Sequence, residues 1–181
     1  MLKREKNRLV LVALLLAASC LTVFAAKDPE SGMEFTGWGD LPRIIARRAE
    51  VPAADITIDA RCEKGEFLFA AYHIAGEERP RLVHYRTRWR RAPLRRYKSL
   101  EYLGESSRSG ELDFAVSAYG DMTILVAWGD TAENGATGVT FRADGAVVER
   151  RLPYRRCVIE PFVYIDGSDA PFDVQYLTEK A

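Results

Sequence analysis

The chain has 181 residues, of which 48% are hydrophobic and 29% are charged, and 26 basic residues balance 26 acidic ones. This composition excludes a disordered tail, a collagen-like rod and a membrane protein with several spans. The length fits one domain, and a net charge of zero gives no overall preference for nucleic acid.

Residues 1–25 have the pattern of a secretory signal. Basic residues precede an apolar run from Leu9 to Ala26, and small residues at Val23–Ala25 form a cleavage motif. We predict that the mature chain begins near Ala26. Two alternatives stay open: the apolar run is long enough to be an uncleaved membrane anchor, and Cys20 resembles the lipidated cysteine of a bacterial lipoprotein signal.

Export would change both the charge and the cysteine chemistry of the chain. Removal of residues 1–25 takes away four basic residues and one acidic residue, which leaves 22 Lys and Arg against 25 Asp and Glu. The remaining cysteines are Cys62 and Cys157, and two thiols in an oxidising compartment usually pair. We therefore predict a disulfide between them, with two buried free thiols as the alternative.

Residues 26–54 are predicted to form an extended arm that includes one short helix. Asp40 is a capping residue, Pro42 suits the first turn, and the segment that follows is a helix-compatible run to Arg48. The helix is expected to end before Pro52. Residues 55–181 are then left for the main domain.

That domain shows a period of two in its apolar residues, which is typical of strands. Residues 67–72 are apolar on both faces, which indicates a central strand. Residues 104–110 read as a loop. Short strands at regular spacing with no long helix favour a single antiparallel β-sandwich, with a barrel as second choice. The predicted strands cover 56–62, 66–75, 81–90, 112–118, 122–128, 139–142, 147–150, 158–165 and 172–177.

Two Asx-Gly pairs predict turns in the second half of the chain. Asp144-Gly145 is a strong two-residue hairpin signal, and such a turn places Phe141 opposite Val148. If Asn134-Gly135 is a turn of the same kind, Trp128 pairs with Phe141. The sequence then predicts a three-stranded meander from about 122 to 151.

The feature above background is a basic run between Arg79 and Lys98, which contains nine basic residues and no acidic one. In a strand over 82–90, alternation places Val83, Tyr85, Thr87 and Trp89 inward, and His84 with three arginines on one outer face. Such a ridge suits carboxylates or phosphates. The alternative is a solvated strand face whose arginines pair with neighbouring acids. The predicted partner-binding residues are Arg86, Arg88, Arg90, Arg91, Arg95 and Arg96.

The two histidines are expected to be structural rather than catalytic. A turn over 76–80 would set Val83 opposite His73 and place His73, partly buried, on the face of Phe67 and Phe69. His84, among arginines, should have a lowered pKa. No catalytic motif, metal-binding spacing or cofactor loop is present in the sequence, so no catalytic residue, metal or cofactor is predicted.

These observations favour an exported, periplasmic or extracellular, non-enzymatic binding or inhibitor-type protein. An acidic protein is the first choice of partner, an anionic envelope lipid or glycan the second, and nucleic acid the last. Two other functions stay open. One is a structural envelope component tethered by its N-terminus, and the other is a hydrolase whose site the sequence does not reveal.

Overall fold

The fold is all-β and sandwich-like, which confirms the predicted class. A computed structural model describes residues 33–92, 95–120, 122–143, 146–165 and 172–178. The predicted signal segment, with Cys20, lies outside the described residues. Within those ranges, no helix is long and apolar enough to cross a membrane.

The described residues include ten strands and two short α-helices. The helices are α1 (Leu41–Ala49) and α2 (Thr131–Asn134). The strands are β1 (Ile56–Lys64), β2 (Phe67–Ile74), β3 (Arg81–Ala92), β4 (Arg95–Ser107), β5 (Leu112–Tyr119), β6 (Met122–Gly129), β7 (Ala136–Ala143), β8 (Ala146–Arg151), β9 (Val158–Ile165) and β10 (Phe172–Thr178).

The strands form three antiparallel sheets, and the second sheet lies between the other two. The strand orders are β1-β2-β3-β4 in the first sheet, β5-β6-β9 in the second and β10-β7-β8 in the third. Ile124 and Val126 of β6 pack toward the first sheet, whereas Leu125 and Ala127 pack toward the third. Alternate residues of a strand point to opposite faces, so the second sheet is covered on both sides.

The first sheet is also covered on both faces, because α1 packs against its outer side. Ile44 and Ile45 of α1 are fully buried there, in a cluster with Leu68 and Tyr85. The other face of β2 packs toward the second sheet through Phe69. The prediction of a central strand buried on both faces is therefore confirmed for β2.

Helix α1 matches the predicted helix within one residue. It ends at Ala49, and the next residue, Glu50, has a left-handed φ of 57°. Asp40 lies at the predicted capping position, but its carboxylate accepts a hydrogen bond from the Thr36 N–H at 2.7 Å and accepts none from a backbone N–H of the helix. The capping residue therefore holds the preceding turn instead of the first helical N–H groups.

The predicted three-stranded meander is wrong, although one of its hairpins is confirmed. Phe141 faces Val148 in the β7–β8 pair, as expected. Asn134-Gly135, however, ends α2: Asp130 caps that helix through the Glu133 N–H, and Gly135 has a φ of 70°. The short helix redirects the chain, so β7 joins the third sheet and Trp128 pairs with Asp113 and with residue 159 of β9.

Strand β4 is absent from the sequence prediction, and the predicted loop over 104–110 is wrong in its first half. The strand runs to Ser107 and pairs with β3 along its length. It lies at the edge of the first sheet, where polar side chains can face water. Ser99 and Leu100 are buried, but they are embedded in a basic and polar sequence that hides the strand pattern.

The predicted disulfide is also wrong. Cys62 and Cys157 are both free thiols and both are half-buried. They pack at the margin of the core between the first and second sheets. The structure therefore matches the alternative of two partly buried free thiols.

Candidate functional site: a basic hairpin arm

The basic run forms a two-stranded arm that extends past the rest of the first sheet. Pairing between β2 and β3 ends at Phe67 and Arg86, and the next bond is from the Thr87 N–H to the Glu66 carbonyl at 2.7 Å. Beyond this point, among the described residues, β3 pairs with β4 alone. On the outer edge of β4, the Phe35 N–H donates to the Lys98 carbonyl oxygen. We call residues 88–92 with 95–99 the hairpin arm.

One face of β3 carries Arg86, Arg88 and Arg90, as the alternation predicts. The Arg86 guanidinium donates a hydrogen bond from its terminal NH2 group to a carboxylate oxygen of Glu66 at 2.7 Å, and this hydrogen bond raises the pKa of Arg86. Its guanidinium also stacks over the Tyr119 ring, 4.4 Å from the centroid. Arg86 is therefore held inside the molecule by an acid and an aromatic ring.

Arg88 and Arg90 are held on the same face. The Arg88 Nε lies 2.5 Å from Glu101, and Arg88 also donates to the Tyr119 hydroxyl. Arg90 donates to the Ser99 hydroxyl at 2.9 Å. Arg86 and Arg88 are thus paired with carboxylates, as the alternative of a solvated strand face predicts, whereas the described contact of Arg90 is to a hydroxyl group.

The opposite face of the arm carries cations for which the described residues provide no carboxylate partner. Trp89 faces Lys98 across the hairpin, and Arg91 faces Arg96. Lys98 Nζ and the Arg96 guanidinium lie 5.7 and 5.6 Å from the centre of the Trp89 ring. No carboxylate among the described residues lies within ion-pair distance of Arg91, Arg96 or Lys98. We call Trp89, Arg91, Arg96 and Lys98 the tryptophan face.

Trp89 is the unusual member of this face because 62% of it is exposed. Alternation with the arginines predicts that Trp89 points inward. The residue does point to the α1 side of the first sheet, but it lies on the arm, beyond the part of the sheet that α1 covers. Arg95, the remaining predicted residue, lies in β4 opposite Ala92.

His84 departs most from its prediction. It is 1% exposed and packs edge-on against Phe69, with ring centroids 5.4 Å apart. In the observed register, Phe69 faces His84 and Ala70 faces Val83. The predicted pairing of Val83 with His73 has the opposite parity, and an odd shift of register moves each side chain to the other face.

The buried position of His84 also sets its charge. Burial lowers its pKa to about 4, so the imidazole is neutral at pH 7. The direction agrees with the prediction, but the cause is loss of water instead of neighbouring arginines. Its Nδ1 lies 2.7 Å from the Ser117 hydroxyl.

The remaining reactive groups do not form a recognisable catalytic set. His73 is half-exposed and its Nδ1 lies 3.0 Å from a carboxylate oxygen of Asp59. A nucleophilic cysteine needs a lowered pKa, whereas burial raises the pKa of Cys157 to about 11. In the described part of the chain, no group of three or more His, Cys, Asp or Glu residues could hold a metal ion.

Comparison of the chain with family models, with curated proteins and with solved structures finds no match.

Proposed function

We propose that this protein is an exported, non-enzymatic binding protein that engages an acidic protein partner through the tryptophan face of its hairpin arm. The observation that carries the proposal is the exposed Trp89 ring between cations that have no acidic partner in the described residues. The proposal keeps Arg91 and Arg96 from the sequence prediction and adds Trp89 and Lys98. Arg86 and Arg88 become supports of the arm.

The residue types of this face suit a protein interface. Tryptophan and arginine are the types most often found at the energetic centres of interfaces. Trp89 offers a flat apolar surface that needs no further ordering of a long side chain, and its exposed ring is available to a partner. Burial of this ring in a complex would supply the apolar contact.

The charges of this face favour an acidic partner. Arg91, Arg96 and Lys98 would each gain a carboxylate that they lack within the described chain, and arginine can bind a carboxylate through two hydrogen bonds. A mature chain starting near Ala26 would be mildly acidic, so this basic face would stand out against the remaining surface. Such complementarity raises the association rate and selects against basic partners.

The test is capture of partners from a native envelope extract by the protein as the cell produces it. The first variant is Arg91→Glu with Arg96→Glu, and the second is Trp89→Ala. We expect one acidic protein to co-purify with the wild type at low salt and to fade at high salt. Loss of Trp89 should weaken its binding by about 30-fold or more, if Trp89 is an interface centre.

The matched control reverses two exposed arginines outside the arm, Arg79→Glu with Arg151→Glu. It makes the same change in net charge and should still capture the partner. The proposal fails if the control loses the partner as fully as the arm variant does, or if the folded arm variants still bind it. Capture of vesicles or of nucleic acid in place of a protein would also overturn it.

A further inference from the structure

A separate groove opens where the edges of the first and second sheets meet. Strand β1 is an edge of the first sheet and β9 is an edge of the second, and residues 153–157 lead into β9 at this point. The groove has a volume of about 700 Å³. A smaller cavity of about 290 Å³ adjoins it and shares Asp59 and Cys157 as walls.

The groove has a partly apolar wall. The wall is formed by Ala60 and Cys62 of β1, by Cys157, which precedes β9, and by Val158 and Ile159 at the start of β9. Four of these residues also pack against the core between the two sheets, so the wall is continuous with that core. An apolar body in the groove would cover surface that is now in contact with water.

The rim of the groove and of the adjoining cavity is cationic. Arg155 lines the groove, while Arg108 and Arg156 line the smaller cavity. No carboxylate in the described ranges lies within ion-pair distance of these three guanidinium groups. Arg108 also donates to the Glu111 carbonyl oxygen at 3.1 Å, so an anion from outside would be bound mainly by Arg155 and Arg156.

Both carboxylates at the groove already have basic neighbours. Asp59 lies 3.0 Å from the imidazole of His73, and Glu160 lies 3.9 Å from Arg150. The charged residues that line the two cavities are the four arginines Arg61, Arg108, Arg155 and Arg156 against Asp59 and Glu160, so their formal charge is positive. This charge selects an anionic ligand and disfavours a cationic one.

We propose that the groove binds a small amphipathic organic anion, with a carboxylate head at the arginine rim and an aliphatic or aromatic body against the wall of β1 and β9. The volume lies within the range of about 300–1,000 Å³ that is usual for small-molecule sites. A few polar groups at one end of an apolar wall is also the usual arrangement of such sites. This site does not depend on the hairpin arm, so the two proposals stand or fall separately.

The two thiols of the wall supply a built-in readout. The probes are octanoate, octylammonium and octanol, which share one body and differ in charge. Binding is measured by calorimetry, and occupancy is measured by the alkylation rates of Cys62 and Cys157, resolved by peptide mass spectrometry. We expect octanoate to bind and to slow alkylation of both thiols at least fivefold, whereas octylammonium does neither.

Two variants locate the site. Arg155→Gln with Arg156→Gln should weaken octanoate binding about tenfold, the equivalent of about 1.4 kcal/mol, with an unchanged circular dichroism spectrum. Arg47→Gln with Arg79→Gln makes the same change in net charge at exposed positions elsewhere and should leave binding unchanged. The proposal is overturned if octanol protects the thiols as well as octanoate does, if the arginine variant binds normally, or if no probe binds at millimolar concentration.

Discussion

The imidazole of His84 hydrogen-bonds the hydroxyl of Ser117 across the core between the first and second sheets, at 2.7 Å from Nδ1 to Oγ. His84 belongs to β3 and Ser117 to β5, so this contact joins the two layers of the sandwich. Both residues are buried, and the other ring nitrogen of His84 has no hydrogen-bond partner among the residues that the structure describes. A charged imidazole at this site would lose its hydration without gaining an acid.

The first prediction is that acid destabilises the fold through His84. Its pKa is about 4 in the folded state, against 6.5 for an unperturbed histidine, so the unfolded chain takes up a proton first as the pH falls. The stability is present above pH 6.5 and is lost between pH 6.5 and 4. The loss between pH 7 and pH 4.5 should be roughly 2–3 kcal/mol.

Urea unfolding of the wild type and of His84→Asn at the two pH values measures this loss. The asparagine amide can keep a polar contact near Ser117 but does not titrate in this range. His73→Asn retains His84 and should keep the acid sensitivity. An equal pH effect in wild type and His84→Asn would show that His84 is not its source.

The second prediction concerns Glu105, a largely buried acid that connects three strands to α1. Its carboxylate accepts hydrogen bonds from the Tyr72 hydroxyl at 2.9 Å and from Arg81 at 3.1 Å, and it pairs with Arg48 of α1. Glu105→Gln removes one charge from a buried cluster. The free energy of unfolding should fall by roughly 2–4 kcal/mol.

Denaturant titration compares this variant with Glu77→Gln. Glu77 also pairs with Arg81, at 2.7 Å, but 39% of its side chain is exposed. An exposed ion pair contributes about 1 kcal/mol or less. Equal losses in the two variants would mean that Glu105 does not hold α1 on the sheet.

The third prediction is that Gly129 tolerates no side chain. Its φ is 137°, and a Cβ atom would lie 2.9 Å from the Leu112 Cα and closer still to the Glu111 carbonyl oxygen. Gly129→Ala should therefore cost roughly 2–4 kcal/mol of stability, because both backbone conformation and space oppose it.

Thermal unfolding of Gly129→Ala and Gly39→Ala provides the comparison. A Cβ atom at Gly39 would meet nothing within 4 Å. The two glycines stand in the same tripeptide, Trp-Gly-Asp, so the local sequence is matched. Similar melting temperatures for both variants would refute the close approach at Gly129.

The fourth prediction is that Cys157 reacts slowly with alkylating reagents. Burial is the main cause that raises its pKa to about 11, so very little thiolate is present at pH 8. Iodoacetamide should modify it roughly a hundredfold more slowly than an unhindered cysteine at that pH. The rate should rise with pH up to about 11, and a plateau near pH 8 would contradict the raised pKa.

Local signals were sufficient for several parts of the fold. Helix α1, the pairing of β7 with β8 and the double-sided burial of β2 each depend on residues within one short segment. Turn chemistry, capping and side-chain periodicity act over this range, so these predictions are confirmed. The alternation that brings Arg86, Arg88 and Arg90 to one face is of the same kind.

The errors arose where one turn motif fits two structures, or where the outcome depends on pairing between distant segments. Asn134-Gly135 is compatible with a hairpin turn and with a helix C-terminus, and the cap from Asp130 decides between them. The register of β2 with β3 decided that His84 is buried. The Asp130 cap is a local signal that the hairpin interpretation did not use, whereas no local pattern in the sequence specifies the register of β2 with β3.

The candidate site shows the same division. The sequence by itself determined that a basic, tryptophan-containing strand exists, because charge and alternation are properties of one segment. Only the tertiary structure decided which of its cations are neutralised: Glu66, in the turn before β2, and Glu101, in β4, reach Arg86 and Arg88 through the pairing of β3 with its neighbours. Those acids do not contact the tryptophan face, because its side chains point to the other side of the arm and the arm extends beyond β2.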